Sequence, residues 1–178
     1  MFDVNSLNKT LVLVGMMGAG KTTIGTRLAK RLNLEFIDTD AEVEKKAKCS
    51  ITDIFKYESE QYFRELEKSI LSNLLTGTPY VLATGGNTFI DPENRQLIKE
   101  KAISIWLKAD LEVLVERVSR RNTRPALERG DKREILTSYI AERYPIYAQA
   151  DLTIVSDNAP HQVIVTSIIK TLEEYLNK

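Results

Sequence analysis

The sequence predicts an α/β domain built on a parallel sheet with helices on both faces. Three observations predict it. Short apolar runs alternate with helix-spaced segments along the whole chain. No internal repeat or Pro/Ser-rich linker interrupts the alternation, and 178 residues suffice for one domain with a real core. Lastly, the first apolar run, Leu11-Val12-Leu13-Val14, leads into Gly15-Met16-Met17-Gly18-Ala19-Gly20-Lys21-Thr22, which matches the phosphate-loop pattern G-x-x-x-x-G-K-[ST] in full.

Residues 1–8 read as a short polar lead-in with a frayed end. The first strand is expected over Thr10 to Val14, and a helix behind the loop, with Ile24, Leu28 and Leu32 at helical spacing, runs to about Leu32. Glu35-Phe36-Ile37 forms a second short strand ending at Asp38-Thr39-Asp40. From Ala41 to Leu75 only helical spacing is found, with Thr52 and Asp53 as starts for one segment and Phe55, Phe63, Leu66, Ile70 and Leu74 on one side. Tyr80 to Ala83 is a third strand running into Thr84-Gly85-Gly86-Asn87, and Pro92 opens a helix toward Lys101. Ala102 to Leu107 is a fourth strand, followed by an amphipathic helix beginning at Asp110. Arg120 to Asp131, arginine-rich and broken by Pro125 and Gly130, reads as a mobile loop. A long helix follows from about Lys132 to Ala148, then a fifth strand from Asp151 to Val155 and a last helix from Val163 to Tyr175.

Lys+Arg and Asp+Glu are equal at 25 each, so no basic field points to nucleic acid. One cysteine and one histidine exclude a disulfide framework and a Cys/His zinc site. No uncharged apolar run is long enough for a membrane span, and Met1-Phe2-Asp3-Val4 opens no signal-peptide pattern. The expectation is a cytoplasmic monomer with no nucleic-acid or membrane partner. Cys49 and Trp106 are expected to be packing residues, and His161 a surface residue in the first turn of the last helix.

Ligands in such sheets sit beyond the carboxyl ends of the strands. The phosphate loop there predicts a nucleoside triphosphate, with Gly18, Ala19, Gly20 and Thr23 around its phosphates, Lys21 reaching the β- and γ-phosphates and the Thr22 hydroxyl on Mg²⁺. Asp38 and Asp40 would point in two directions if the chain is still extended, one to the metal and one to an acceptor; the plainer alternative is that Asp40 caps the helix behind it. No carboxylate closes the third strand, so Asp38 is the nearest candidate for the metal-holding acid. Gly85 and Gly86 permit close approach of backbone to ligand, or simply make a turn. Arg64 and Arg143 would suit a carboxylate on the acceptor, with Glu67 holding the Arg64 guanidinium; a surface salt bridge is the alternative. Arg124, brought over the phosphates by a closing lid, would stabilise transition-state charge, unless Arg120, Arg121, Arg124 and Arg129 only solvate a basic loop.

Taken together, the sequence resembles the shikimate kinase family from the phosphate loop to about Tyr147. Gly18 to Thr23 match the nucleotide loop, and Asp38-Thr39-Asp40 the D-[ST]-D motif. Glu60, Phe63-Arg64 and Glu67 match E-x-x-F-R-x-x-E, and Gly85-Gly86 begin the glycine triplet. Arg124-Pro125 match the lid R-P, and Arg143, Pro145 and Tyr147 match R-x-P-x-Y. The resemblance implies the nucleoside monophosphate kinase-like P-loop fold with a five-stranded parallel sheet, a lid at about 122–131 and a helical acceptor-binding part at about 42–75. It implies phosphorylation of the 3-hydroxyl of shikimate by ATP with Mg²⁺, on the route to chorismate. By this likeness Asp40 takes or orients the hydroxyl proton, and Arg64 and Arg143 hold the carboxylate. Gly86 donates a backbone hydrogen bond, and Thr22 with Asp38, the latter through water, supports Mg²⁺. Lys21 and Arg124 neutralise the phosphoryl group, and Arg120 or Arg121 lies along the adenine.

Three departures stand out. Asn87 replaces a third glycine, where tolerance of positive φ would keep the turn while its side chain adds bulk beside the acceptor. Ser59-Glu60 replaces a Gly-Glu step, and Ser156-Asp157-Asn158-Ala159-Pro160 lacks a basic residue on the adenine side. Kinases of the same fold acting on gluconate or a nucleoside monophosphate, and a non-catalytic nucleotide-binding module, remain the alternatives.

Overall fold

The computed structural model describes residues 7–120 and 130–177. Its five strands are β1 (Thr10–Val14), β2 (Phe36–Asp38), β3 (Val81–Ala83), β4 (Ala102–Lys108) and β5 (Leu152–Val155). They form one parallel sheet in the order β2-β3-β1-β4-β5. Every residue of β1 and β3 is buried, as are all of β4 except Lys108, because these central strands are covered on both faces. β5, at the edge, alternates buried and exposed residues. The register aligns Leu13 and Asp38 with Ala83, so the carboxyl ends of β1, β2 and β3 finish level with one another.

Among the described residues the helices are α1 (Lys21–Leu32), α2 (Thr39–Ala47), α3 (Ile51–Tyr57), α4 (Glu60–Leu74), α5 (Pro92–Lys101), α6 (Leu111–Ser119), α7 (Lys132–Tyr147) and α8 (His161–Leu176). α1 packs on β3 and α8, α5 on β4, and α6 on α7. Val43, Ile54 and Ile70, with Phe63 and Leu66 against them, make a separate small core under α2, α3 and α4.

Several expectations need correction. The segment after Lys48 starts at Ser50, not at Thr52 or Asp53, because the Ser50 hydroxyl accepts the Asp53 N–H at 3.1 Å. Ser59 does the same for α4, accepting from Tyr62 N–H at 3.1 Å, which accounts for serine at that position. Tyr80 precedes β3 rather than opening it, although its carbonyl accepts from Leu11 N. Leu7, inside the expected polar lead-in, is buried in the main core. α8 begins at His161, two residues early, behind Pro160. Cys49 is exposed rather than packed, because the α2 cap at Lys48 turns the chain outward in the left-handed region. Trp106 is buried as expected.

Candidate active site

The phosphate loop owes its shape to glycine. Gly15, Gly18 and Gly20 all have positive φ, at 139°, 83° and 95°, which side-chain-bearing residues adopt only under strain. Gly20 is also the N-cap of α1, and no side chain caps that helix or places an acid in its first turn. The exposed N–H groups and the positive end of the helix dipole therefore favour an anion. Lys21 Nζ donates to the carbonyls of Gly15 at 2.6 Å and Met16 at 2.9 Å, which folds it over the loop. Ala19 is buried beneath, its carbonyl accepting from Ser156 Oγ at 2.8 Å.

At the end of β2 the chain is no longer extended at Asp40. Asp38, not Asp40, is the helix cap, because its Oδ1 accepts the Asp40 N–H at 3.0 Å and starts α2 at Thr39. Asp38 Oδ2 accepts from Thr22 Oγ1 at 2.9 Å, which brings the two expected Mg²⁺ ligands together. Both are hard oxygen donors, the type Mg²⁺ prefers, so the donor set fits that ion. Helical geometry at Asp40 turns its carboxylate toward the β3 loop. A side chain at Gly85 would come within 2.9 Å of Asp40 Oδ1 and 3.4 Å of Glu67 Oε1. Gly85 is therefore needed for a close approach, while the corresponding position at Gly86 meets only Met17 N, at 3.9 Å.

Glu67 does not hold Arg64. It is buried and accepts from the buried Thr88 hydroxyl at 2.5 Å. Burial raises its carboxyl to about 7, against the Thr88 hydrogen bond and with further upward pressure from Asp40. Arg64 instead pairs with Glu60 at 2.5 Å on the exposed face of α4, since i,i+4 places Glu60 on the solvent side. That pair raises the pKa of the arginine.

α7 is seated by an aromatic cluster in which Trp106 meets Tyr144 edge-on at 5.0 Å and Phe89 stacks on Tyr147 at 6.5 Å. The Tyr147 hydroxyl donates to the Gly86 carbonyl at 2.5 Å. Arg143, one turn earlier, lies over the Tyr139 ring at 3.8 Å, and its buried Nε has no hydrogen-bond partner among the described residues.

One cavity collects Gly18, Gly20, Lys21, Thr22 and Thr23 from the loop, Asp38 and Asp40 from β2–α2, Gly85 and Gly86, and Arg120. Arg120 is exposed and paired with Glu116 at 2.5 Å. Arg64 and Arg143 are not among the lining residues. Arg121, Arg124 and most of the expected lid lie outside the described residues. Asn87 is exposed, and only Asn33 and Lys48 have positive φ among the described non-glycine residues, so the third position of the triplet makes no demand for glycine.

Sequence reasoning missed Arg117. Its Nη1 donates to Ser156 O at 3.1 Å and Gly18 O at 3.3 Å, and its Nη2 to Asp157 O at 2.5 Å. It pins the phosphate loop to the loop after β5 and supplies the basic group that the latter lacks. Partial burial lowers the pKa of this arginine. Its only sequence signal was an arginine on the helix before the lid, which spacing alone does not distinguish from Arg120.

A parallel sheet with a phosphate loop on β1 and carboxylates at the end of β2, one strand beyond β3, defines a P-loop kinase of the nucleoside monophosphate kinase type. Residues 17–173 match the family model described as Shikimate kinase. A shikimate kinase from Rhodopseudomonas palustris is 47% identical over 169 residues, covering 95% of this chain and 83% of the relative. The structure of a shikimate kinase from Acinetobacter baumannii in complex with shikimate superposes with a TM-score of 0.89 at 33% identity, covering 95% of each chain. A gluconokinase from Sinorhizobium meliloti, with a TM-score of 0.60 and 18% identity, shares the fold alone. The chain belongs to the shikimate kinase family. It is a kinase that takes ATP as phosphoryl donor.

Proposed function

We propose that this chain transfers the γ-phosphoryl group of ATP to the 3-hydroxyl of shikimate, giving shikimate 3-phosphate and ADP. The observation that carries this reading is the cavity in which Asp40, Gly85 and Gly86 stand beside Lys21 and Thr22. A donor phosphate on the loop and a hydroxyl beside Asp40 would then meet in line. The bound acceptor in the Acinetobacter baumannii relative supports the same choice.

Asp40 orients the 3-hydroxyl and receives its proton as the oxygen attacks phosphorus. Lys21 moves from the loop carbonyls onto the β- and γ-phosphate oxygens, where its charge follows the transferring group. Thr22 and Asp38 would hold Mg²⁺, which when bound neutralises charge on the phosphate oxygens. Gly18, Ala19, Gly20 and Thr23 wrap the remaining phosphate oxygens, and Arg120 or Arg121 lines the adenine side. Gly85 and Gly86 offer backbone to the acceptor. Arg143, with an unpartnered buried N–H, and Arg64, released from Glu60, clamp the shikimate carboxylate. Arg124, from a lid at about 122–131, closes over the phosphoryl group. The helical part at about 42–75, with its own small core, serves as the acceptor-binding unit of a single domain.

No helix among the described residues is long and apolar enough to cross a membrane. As part of the same proposal the chain acts on its small-molecule acceptor as a cytoplasmic monomer.

The test is ADP release from ATP and Mg²⁺ with shikimate, gluconate or a nucleoside monophosphate as acceptor. Turnover is expected with shikimate alone. Turnover on another acceptor without shikimate-dependent activity would overturn the assignment, and nucleotide binding without turnover would mark a non-catalytic module. Asp40→Asn should abolish turnover while sparing nucleotide binding.

A further inference from the structure

At the end of β2 three consecutive residues face three different ways. Asp38 closes the strand, and α2 begins at Thr39, from which successive side chains are about 100° apart around the helix axis. Asp38 reaches the Thr22 hydroxyl at 2.9 Å, and Asp40 lines the cavity. Thr39, between them, is fully buried.

The Thr39 hydroxyl meets the glycine turn. Gly85 N–H donates to Thr39 Oγ1 at 3.2 Å, which holds the peptide that enters the turn. The next peptide, which carries the Gly86 N–H, is held through its carbonyl, since Thr88 N–H donates to Gly85 O at 3.2 Å. The third is held by the Tyr147 hydroxyl on Gly86 O at 2.5 Å. Thr88 belongs to the turn itself and Tyr147 to α7. Thr39 belongs to α2, and its neighbour in the chain is Asp40.

The pairing of β2 with β3 ends at Asp38 and Ala83, short of both Asp40 and the turn. The Thr39–Gly85 bond lies just beyond that end. It ties the backbone offered to the acceptor to the helix that carries the carboxylate opposite it. The two are close: a Cβ at Gly85 would come within 2.9 Å of Asp40 Oδ1. Misplacing reacting groups by about 1 Å costs on the order of a hundredfold in rate, so one hydrogen bond at this joint carries weight.

We propose that Thr39 is a positioning residue for phosphoryl transfer, its hydroxyl setting the spacing between the Asp40 carboxylate and the Gly85–Gly86 backbone. This role rests on the acceptor reading above, in which both groups meet one substrate.

The experiment compares Thr39→Val, Thr39→Ala and Thr39→Ser in the full chain, with rates expressed per ADP-binding site so that unfolded protein is not counted. Valine keeps the shape of threonine and leaves the Gly85 N–H without its acceptor. Thr39→Val and Thr39→Ala should each lower kcat/KM for shikimate by about tenfold or more, with KM for ATP and ADP affinity as in wild type. Thr39→Ser, which loses the methyl group and keeps the oxygen, should stay within about twofold of wild type in kcat/KM even where urea unfolding shows it less stable. A residue that only packs would give the other order, with the valine variant nearest wild type and the serine and alanine variants alike. Wild-type kcat/KM in Thr39→Val, or equal losses in the alanine and serine variants, would overturn the proposal. So would a loss of ADP affinity that matches the loss of kcat/KM, which would place the effect in the phosphate loop. If the valine variant does not fold, the alanine and serine variants, which differ only in the hydroxyl, decide the same question. Valine and alanine variants that both fail to bind ADP would overturn the proposal, the hydroxyl then holding the fold rather than the turn. Wild-type protein that binds ADP without shikimate-dependent turnover would overturn the reaction on which the role rests.

Discussion

The Tyr147 hydroxyl donates to the Gly86 carbonyl at 2.5 Å, joining the end of α7 to the loop after β3. Tyr147 is fully buried, and burial pushes its phenol up to about 12, so it remains a donor throughout the working range. The bond fixes the Gly86–Asn87 peptide, immediately after the Gly86 N–H that is proposed to meet the acceptor. Tyr147→Phe should therefore raise KM for shikimate about fivefold and lower stability by about 1 kcal/mol. Steady-state kinetics and urea unfolding measure both. An unchanged KM would reduce Tyr147 to a packing residue.

Thr22 and Asp38 are joined by a hydrogen bond of 2.9 Å, and Asp38 also caps α2. Asparagine caps a helix as well as aspartate but brings no negative charge to a cation. Asp38→Asn should keep stability close to wild type and raise the Mg²⁺ needed for half-maximal activity by about tenfold or more. A magnesium titration of activity reads this directly, and an unshifted midpoint would remove Asp38 from the metal site.

Glu67 makes stability depend on pH. Its carboxyl titrates near 7 in the folded chain, chiefly through burial, against an ordinary value of 4.5. Between those values the folded state keeps a proton that the unfolded state has released, so stability is greatest below the lower value and falls as pH rises to the upper one. The fall is on the order of 3 kcal/mol. Urea unfolding at pH 5 and pH 8 should show it, and Glu67→Gln, which keeps the shape without the charge, should flatten it. A variant with the same pH slope as wild type would contradict the assignment.

Asn87 is exposed, and its carbonyl accepts from Ile90 N at 3.1 Å and Asp91 N at 3.3 Å. Its backbone needs no glycine, so Asn87→Gly adds only freedom to the unfolded chain. The substitution should cost about 0.5–1 kcal/mol of stability and leave KM for shikimate unchanged. A lower KM would show that the side chain crowds the acceptor.

Much of this molecule was legible from local chemistry. Strand and helix periods, the three positive-φ glycines around Lys21 and the spacing of Asp38, Arg64, Gly85 and Arg143 are properties of short segments, so they give the five-stranded sheet, the loop and the family. What segments cannot carry is which side chain meets which. Only the folded chain decides that Asp38 rather than Asp40 caps α2. Only there does Glu67 turn inward to Thr88 while Arg64 pairs outward with Glu60. Residues three apart on a helix differ by about 60° around it, enough at the edge of the buried face to separate burial from exposure. Arg117 reaches Gly18 and Ser156, 99 and 39 residues away, through the order of the strands, and His161 enters the cavity by the same route. The phosphate loop announces itself in eight consecutive residues; the walls of its cavity are assembled by the sheet.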